Sequence, residues 1–448
     1  MMKKMFVIAL AIFLTFPAYA KEPGFNLYRW NEDYAYLAKK SDRDWYNRFK
    51  YAPLREDVYV SFGGSLRERS NMYDNDRFGL LGVSDGHLFL HRVLLHADLH
   101  VTDRFRFFAE LGSHLVERNG LRPGPFDRDD ADVTQAFFDL RYAGSQWRVG
   151  RQEMDLGSTR LVSVRNGPNV RRAFNGIRFD TKISDVDLRL FGMNEVKVKK
   201  GAFNNGINDD EILWGIYATK DINFTKASVY YLGLYRKGAV YTQNTANETR
   251  HSIGTHLFGK RNGWDWNYEL IYQFGDFGDA DISAWTAASV TGYTFNQITW
   301  SPRVAFNANI ASGDKNPDNG KLNTFNPLYP NLTYFEEAAV LAPQNFYNIK
   351  PEISFYPFNQ LSMTFNWNFF WRVEKNDAVY VGGLIPLLGT ASVDGHFVAH
   401  APSISIDYQL NHYVALDLSY SHFFAGKVIN NAGGNDINFL KLELNITF

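Results

Sequence analysis

The 448-residue sequence contains no cysteine, so disulfide-stapled architectures are excluded. After the first 20 residues no apolar run is long enough for a membrane-spanning helix, which needs about 20 residues. A surplus of one charge is also missing, since 47 Lys and Arg stand beside 48 Asp and Glu. The overall charge therefore indicates no nucleic-acid partner, and only the placement of charges along the chain bears on ligands.

Aromatic residues, in contrast, are abundant. They make up 16% of a chain that is only 45% hydrophobic, with 37 Phe, 25 Tyr and 10 Trp. This composition is typical of a transmembrane β-barrel, because alternate residues face lipid while Trp and Tyr collect at the two membrane interfaces.

The clearest periodicity lies at the carboxyl terminus. Between Leu440 and Phe448 every even position is apolar, while polar residues occupy odd positions 441, 443 and 445. Successive side chains of a strand point to opposite faces, so this segment has one apolar and one polar face. Segments 264–274, 361–371 and 414–421 alternate in the same way. Bacterial outer-membrane barrels end on such a strand, with an aromatic residue last.

The amino terminus has the pattern of a secretory signal peptide. Lys3 and Lys4 precede an apolar run, Pro17 ends it, and small residues at positions 18 and 20 favour cleavage after Ala20. Residues 1–20 are therefore predicted to direct export. Residues 21–56 do not alternate, and we expect a periplasmic or lumenal segment there, followed by a barrel over 57–448.

The predicted fold class is all-β, a transmembrane antiparallel β-barrel of about 18 strands. Strands are expected near 57–69, 87–101, 104–114, 132–142, 146–153, 172–181, 185–195, 211–219, 226–236, 250–260, 263–275, 281–292, 299–311, 346–356, 361–373, 396–408, 412–424 and 436–448. Short connections alternate with long ones at 115–131, 154–171, 196–210, 237–249, 312–345 and 374–395. Short periplasmic turns and long extracellular loops are typical of bacterial outer-membrane barrels. The alternative is a secreted all-β sandwich.

Two features predict charged side chains in the lumen. One is the alternation of side chains along each strand, and the other is an arginine-rich stretch after the fifth strand. The predicted pore-lining residues are Arg67, Arg92, Arg148, Arg151, Arg165, Arg171, Arg172, Arg178, Asp98 and Asp139. Guanidinium groups stay charged and bind carboxylates with paired hydrogen bonds, so an arginine-lined tube would concentrate anions. Alternatively, the arginines pair with inward carboxylates, including Asp98 and Asp139, and brace the wall. The sequence leaves both interpretations open.

Catalysis and metal binding find little support. His96 and His100 are four residues apart, which on a strand separates them by about 13 Å at ~3.3 Å per residue. The segment 314–318 resembles a calcium loop only faintly, because Asn319 stands where the loop formula has glycine. We therefore expect no enzyme activity, no cofactor and no metal site.

The longest loop within the predicted barrel, 312–345, is rich in Asn, Pro and aromatic residues. Loops longer than about 15 residues are commonly functional or disordered. Its Tyr329, Tyr334 and Phe335 could fold inward as a constriction, or the loop could cap the surface. Both alternatives stay open.

Several motifs resemble the alginate export family of bacterial outer-membrane barrels. They are LLHADLH (94–100), RVGRQE (148–153), RLV (160–162), GPNVRR (167–172), LWGIYA (213–218), YYLGL (230–234), ASGD (311–314), TFNPL (324–328) and HFFAG (422–426). The motifs extend over nearly the whole chain after the signal. The resemblance implies a monomeric 18-stranded barrel whose arginine-rich lumen passes an anionic polyuronate by diffusion.

Together these observations give a functional hypothesis. The chain is expected to be a channel in the bacterial outer membrane, surrounded by lipid and lipopolysaccharide, that passes an anionic polysaccharide or small organic anions. A periplasmic export complex is a further candidate partner. The alternatives are a non-conducting barrel acting as an adhesin or assembly scaffold, and a general nutrient-uptake porin.

Overall fold

The computed structural model describes residues 24–82 and 84–448. The predicted signal peptide, residues 1–20, lies outside the described residues. Helical structure in the described chain includes two short α-helices, α1 (Trp45–Lys50) and α2 (Lys427–Asn431). None of the helices in these ranges is long and apolar enough to cross a membrane.

Eighteen antiparallel strands form a closed barrel, which confirms the predicted fold class. In chain order they are β1 (Val58–Asp74), β2 (Gly86–His100), β3 (Phe105–Asn119), β4 (Asp129–Tyr142), β5 (Ser145–Gln152), β6 (Phe174–Ile183), β7 (Val186–Lys197), β8 (Glu211–Ile222), β9 (Thr225–Val240), β10 (Thr245–Arg261), β11 (Trp264–Phe277), β12 (Ala280–Thr294), β13 (Arg303–Ala311), β14 (Phe346–Phe358), β15 (Leu361–Trp371), β16 (Phe397–Gln409), β17 (Val414–Ala425) and β18 (Ile437–Thr447). Each strand pairs with its neighbours in the chain. The last strand returns to the first, with Thr447 opposite Ser65 and Asn438 opposite Asp74. This pairing closes the sheet and removes its two open edges.

The alternation predicted from the sequence sorts side chains between the two faces of the wall. On β11, Trp264, Leu270 and Tyr272 are 52%, 58% and 50% exposed on the outer face. Glu269 and Gln273 occupy the alternate positions of the strand and are buried inside. The apolar face thus points outward, as expected for a barrel surrounded by lipid.

The two ends of the barrel differ in their connections. Tight turns such as 143–144, 184–185 and 262–263 join strands at one end, which is the periplasmic end in this class. At the other end, two long connections fold back into the lumen, and we call them loop A (153–173) and loop B (312–345).

Two predicted loops are too long, and the first of them, expected over 115–131, spans only 120–128. The connection expected over 237–249 spans only 241–244, because β9 continues to Val240 and β10 begins at Thr245. These strand ends carry polar residues and glycine, so apolar alternation does not mark them.

Residues 24–51, which we call the N-terminal segment, cover part of the periplasmic end. Arg29 donates hydrogen bonds of 2.9 Å to the carbonyl oxygens of Gly64 and Phe448, which lie at the seam between the first and last strands. Ala52–Arg55 then forms a short strand paired with β1, and the first of the eighteen barrel strands begins at Val58.

Candidate functional site

The inner wall of β3 to β6 carries four charged residues that are direct cross-strand neighbours. They are Arg106, Asp139, Arg148 and Arg178, and we call them the charged row. Asp139 accepts hydrogen bonds from Arg148 Nε at 2.7 Å and Nη2 at 2.8 Å. Arg106 Nη2 lies 3.3 Å from the same carboxylate. Because a buried charge needs a partner, this geometry explains how both members of the Arg148–Asp139 pair can be 1% exposed.

Carboxylates flank the charged row at both ends. Asp98 lies 3.3 Å from Arg106 and 3.3 Å from His100. At the opposite end, Arg178 donates a hydrogen bond of 2.6 Å to Asp180. The arginines of the row therefore all have acidic neighbours within the wall.

A second set of predicted arginines holds loop A inside the barrel. Arg67 on β1 and Arg92 on β2 lie directly opposite each other, where like charges repel. The tip of loop A compensates them with oxygen acceptors. Arg67 donates to the carbonyl oxygens of Asn166 at 2.6 Å and Pro168 at 3.0 Å, and Arg92 donates to Asn166 Oδ1 at 2.8 Å.

Loops A and B meet in the lumen through their backbones. The Tyr329 amide donates to the Leu161 carbonyl at 2.8 Å, and the Ser163 amide donates to the Tyr329 carbonyl at 2.9 Å. The Tyr329 ring is buried and packs edge-on against Phe174 at 5.4 Å. Around this contact lies a hydrophobic layer that includes Met154, Leu156, Leu161, Val162, Phe174, Met193 and Leu328.

Loop B folds into the lumen, which is one of the two alternatives that the sequence left open. The Arg160 guanidinium of loop A lies 4.3 Å over the ring of Tyr334 and also donates to its hydroxyl. Phe335 is buried against Phe346 and other inward residues of the barrel. Loop B is therefore a constriction rather than a surface cap.

The hydrophobic layer borders two cavities. The inner vestibule, about 600 Å³ near the periplasmic end, is lined by Gly157, Arg189 and Tyr217, among others. The outer vestibule, about 620 Å³ near the long-loop end, is lined by Phe126, Arg165, Arg172, Arg236 and Tyr329, among others.

Arg165 differs from Arg172 and Arg236, which also line the outer vestibule. Arg172 pairs with Glu195 at 2.6 Å and Arg236 with Glu211 at 3.1 Å. Glu195 and Asp127 act on Arg165 only at longer range, without forming such a pair, and its Nε has no hydrogen-bond partner among the described residues.

The surroundings of Arg165 leave part of its guanidinium without a polar partner among the described residues. Its guanidinium lies 4.4 Å over the ring of Phe126, which leaves donors directed elsewhere. Burial and the neighbouring charge of Arg172 lower the pKa of Arg165 to about 9, so the group is protonated at neutral pH. An anion bound here would remove both an unpaired charge and an unsatisfied donor.

The two remaining predicted arginines lie in different settings. Arg171 in loop A forms two hydrogen bonds of 2.6 Å with Glu153, inside the barrel. Arg151 is on the opposite face of β5 from Arg148, because neighbouring residues of a strand alternate, and it donates to the Val133 carbonyl at 2.6 Å. Its assignment as pore-lining is therefore corrected.

Sequence reasoning missed Arg236 and Arg250. On β9 the inward positions include Tyr230, Leu232 and Leu234, which pack in the hydrophobic layer. Because Arg236 is on the same face as these apolar residues, a rule that places apolar residues against lipid wrongly predicts that Arg236 points outward. Acidic residues on the same or the neighbouring strand could have indicated that both arginines face the lumen, since Arg250 pairs with Glu248 and Arg236 with Glu211.

The residues considered for metal binding have other neighbours. His96 stacks on Phe108 at 5.4 Å and His100 on Tyr59 at 4.4 Å. The backbone amide of Asp314 donates to Asp377 at 3.0 Å. Across residues 24–82 and 84–448, no group of three or more His, Asp or Glu side chains is arranged to hold a metal ion.

Several solved bacterial structures share this fold. Pseudomonas aeruginosa OpdO superimposes with a TM-score of 0.60 at 14% identity, covering 88% of this chain and 97% of that one. Acinetobacter baumannii OccAB1 gives 0.58 at 14% identity, with 90% and 99% coverage. A BenF-like porin from Pseudomonas fluorescens gives 0.59 at 11% identity, with 88% and 100% coverage. A sequence search among curated proteins finds no significant match.

The closed barrel, its inward loops and its two vestibules are the architecture of an outer-membrane channel. A family profile described as "Alginate export" matches residues 58–442, which is most of the barrel. The chain belongs to this alginate export family, in agreement with the resemblance of its motifs.

Proposed function

We propose that this outer-membrane channel passes organic anions by diffusion and that Arg165 is the arginine that binds them in transit. The observation that carries the proposal is the unpaired charge of Arg165 in the outer vestibule. Most other predicted arginines already have carboxylate or carbonyl partners. A guanidinium with free donors at a cavity wall is the group best suited to hold a carboxylate.

The size of the vestibules bears on the permeant. Each cavity has about 600 Å³, which suits a ligand of one or two rings. Aromatic rings of Phe126 and Tyr329 lie beside the arginines and provide apolar contact for the faces of a sugar or aromatic ring. We therefore favour a small organic anion or single acidic sugar units of an alginate-like polymer, which would pass one unit at a time.

Liposome swelling with glucuronate and glucose tests this proposal. Arg165→Ala should slow glucuronate uptake about tenfold and leave glucose uptake unchanged, because a hydrogen bond to a charged group contributes ~1.5–3 kcal/mol. Arg165→Lys should retain part of the glucuronate rate, since it keeps the charge.

Lys237→Ala serves as the control variant. It removes a positive charge from the same end of the barrel, at a side chain that is 66% exposed and outside the vestibule lining. Equal loss of glucuronate uptake in Lys237→Ala and Arg165→Ala would contradict the proposal, as would an unchanged rate in Arg165→Ala. No uptake of either solute by folded protein would favour a non-conducting barrel.

A further inference from the structure

Trp30 of the N-terminal segment lies directly on the charged row. Its ring centroid is 3.7 Å from Arg148 Cζ and 5.4 Å from Arg178 Cζ. Arg106 Nη1 donates a hydrogen bond of 2.9 Å to the Trp30 carbonyl oxygen. One residue from outside the barrel wall thus contacts all three arginines of the row.

The indole of Trp30 covers a hydrogen-bond donor that the wall does not use. Arg148 directs Nε and Nη2 to Asp139, whereas its Nη1 is buried and has no partner among the described residues. Phe137 lies on the guanidinium at 3.9 Å. A guanidinium can bind a second acceptor in its own plane, so Nη1 is a ready site for a carboxylate oxygen once the indole moves away.

Trp30 is half-buried, and its attachment to the row is weak. Its Nε1 has no hydrogen-bond partner in the described chain, so its burial leaves a donor unsatisfied. Around it, regular structure is limited to the 3₁₀ turns Arg29–Asn31 and Ala35–Lys39. None of the contacts of Trp30 belongs to the strand pairing of the barrel, so the residue can leave the row while the barrel stays intact.

We propose that the N-terminal segment is an autoinhibitory plug. At rest, Trp30 occupies the charged row through cation–π contacts and keeps Arg148 and Arg178 from solutes at the periplasmic end. An organic anion displaces the indole, because it can accept a hydrogen bond from Arg148 Nη1 where the indole offers only its ring face. The displacement step rests on the proposed function, whereas the covering of the row does not.

Cysteine accessibility tests the plug directly, since the natural chain has no cysteine. A single cysteine in place of Arg178 (Arg178→Cys) is treated with a small neutral methanethiosulfonate in detergent micelles. Labelling should be slow with Trp30 present and at least tenfold faster in the Trp30→Ala background. Glucuronate, but not glucose, should accelerate labelling when Trp30 is present.

Matched controls distinguish exposure of the charged row from unfolding of the barrel. Lys182→Cys, at a side chain that is 57% exposed, should react equally fast with and without Trp30. The Trp45→Ala background removes a Trp of the same segment that is 66% exposed and should leave Arg178→Cys slow. Heat-modifiable gel mobility checks that each barrel is folded.

Two results would overturn the proposal. Equal labelling of Arg178→Cys in the presence and absence of Trp30 would show that the row is not covered. Acceleration by Trp30→Ala without any effect of glucuronate would overturn displacement by anions. The labelling needs no ion flow, so it stays decisive even if the channel fails to pass glucuronate.

Discussion

At the residue scale, the arginines of this barrel are mostly occupied by the protein itself. Arg148 is held by Asp139, Arg171 by Glu153, and Arg67 by carbonyl oxygens of loop A. Their charges brace the wall and hold loop A, whereas Arg165 keeps free donors. Of the two interpretations left open by the sequence, bracing describes Arg148, Arg171 and Arg67, whereas anion binding by Arg165 stays a prediction. The alternation of side chains along a strand predicts which arginines of the strands face the lumen. It does not predict their partners, because these lie on distant strands and loops.

The bracing contacts predict a large effect of one substitution. Asp139→Asn leaves both Arg148 and Arg106 without their shared carboxylate, and breaking a buried ion pair costs about 3–5 kcal/mol. Urea unfolding in lipid vesicles, followed by Trp fluorescence, measures this loss of unfolding free energy. Asp187→Asn is the control, because its pair with Lys182 is exposed and worth at most ~1 kcal/mol. Equal losses in the two variants would contradict the bracing role.

At the element scale, strands and loops differ in how far the sequence predicts them. All eighteen strands were expected at nearly their observed positions, because alternation over ten or more residues is a strong signal. The inward folding of loop B was undecided, since Tyr329 reaches its place through backbone bonds to Leu161 and Ser163. Such contacts between two irregular segments leave no periodic pattern in the sequence.

Loop B should respond to pH through Glu336. Burial raises the pKa of this carboxyl group to about 7, against the lowering effect of backbone hydrogen bonds that include one from Val340. The native loop therefore binds a proton more tightly than the open loop does. Its stability is greatest below the ordinary carboxyl range and falls as pH rises toward 7, where Glu336 ionises in place.

Hydrogen exchange at the amides of residues 338–342 measures this effect. Protection, corrected for intrinsic exchange, should fall between pH 5 and pH 8 in the natural chain. Glu336→Gln should flatten the dependence, because an amide cannot ionise. Glu337, which pairs with Lys441, serves for comparison, and Glu337→Gln should keep the pH dependence. A slope that survives in Glu336→Gln would rule out this carboxyl group as its source.

At the scale of the whole molecule, apolar side chains outside and charged side chains inside describe a tube through lipid. The composition, the alternation and the closing strand are sufficient to predict this architecture, because the lipid imposes them on every strand. The sequence does not predict how the lumen is filled. Loop A, loop B and the N-terminal segment meet there through single contacts, such as Arg67 with Asn166 and Arg148 with Trp30.

The most direct test of the account is the reversal potential of the purified protein in a planar bilayer under a tenfold gradient of KCl. The positive charge of Arg165 in the outer vestibule, which no carboxylate of the described residues pairs with, predicts a reversal potential whose sign indicates chloride preference. A potential of the opposite sign, or folded protein that carries no current, would contradict the central claim that this barrel is an anion channel.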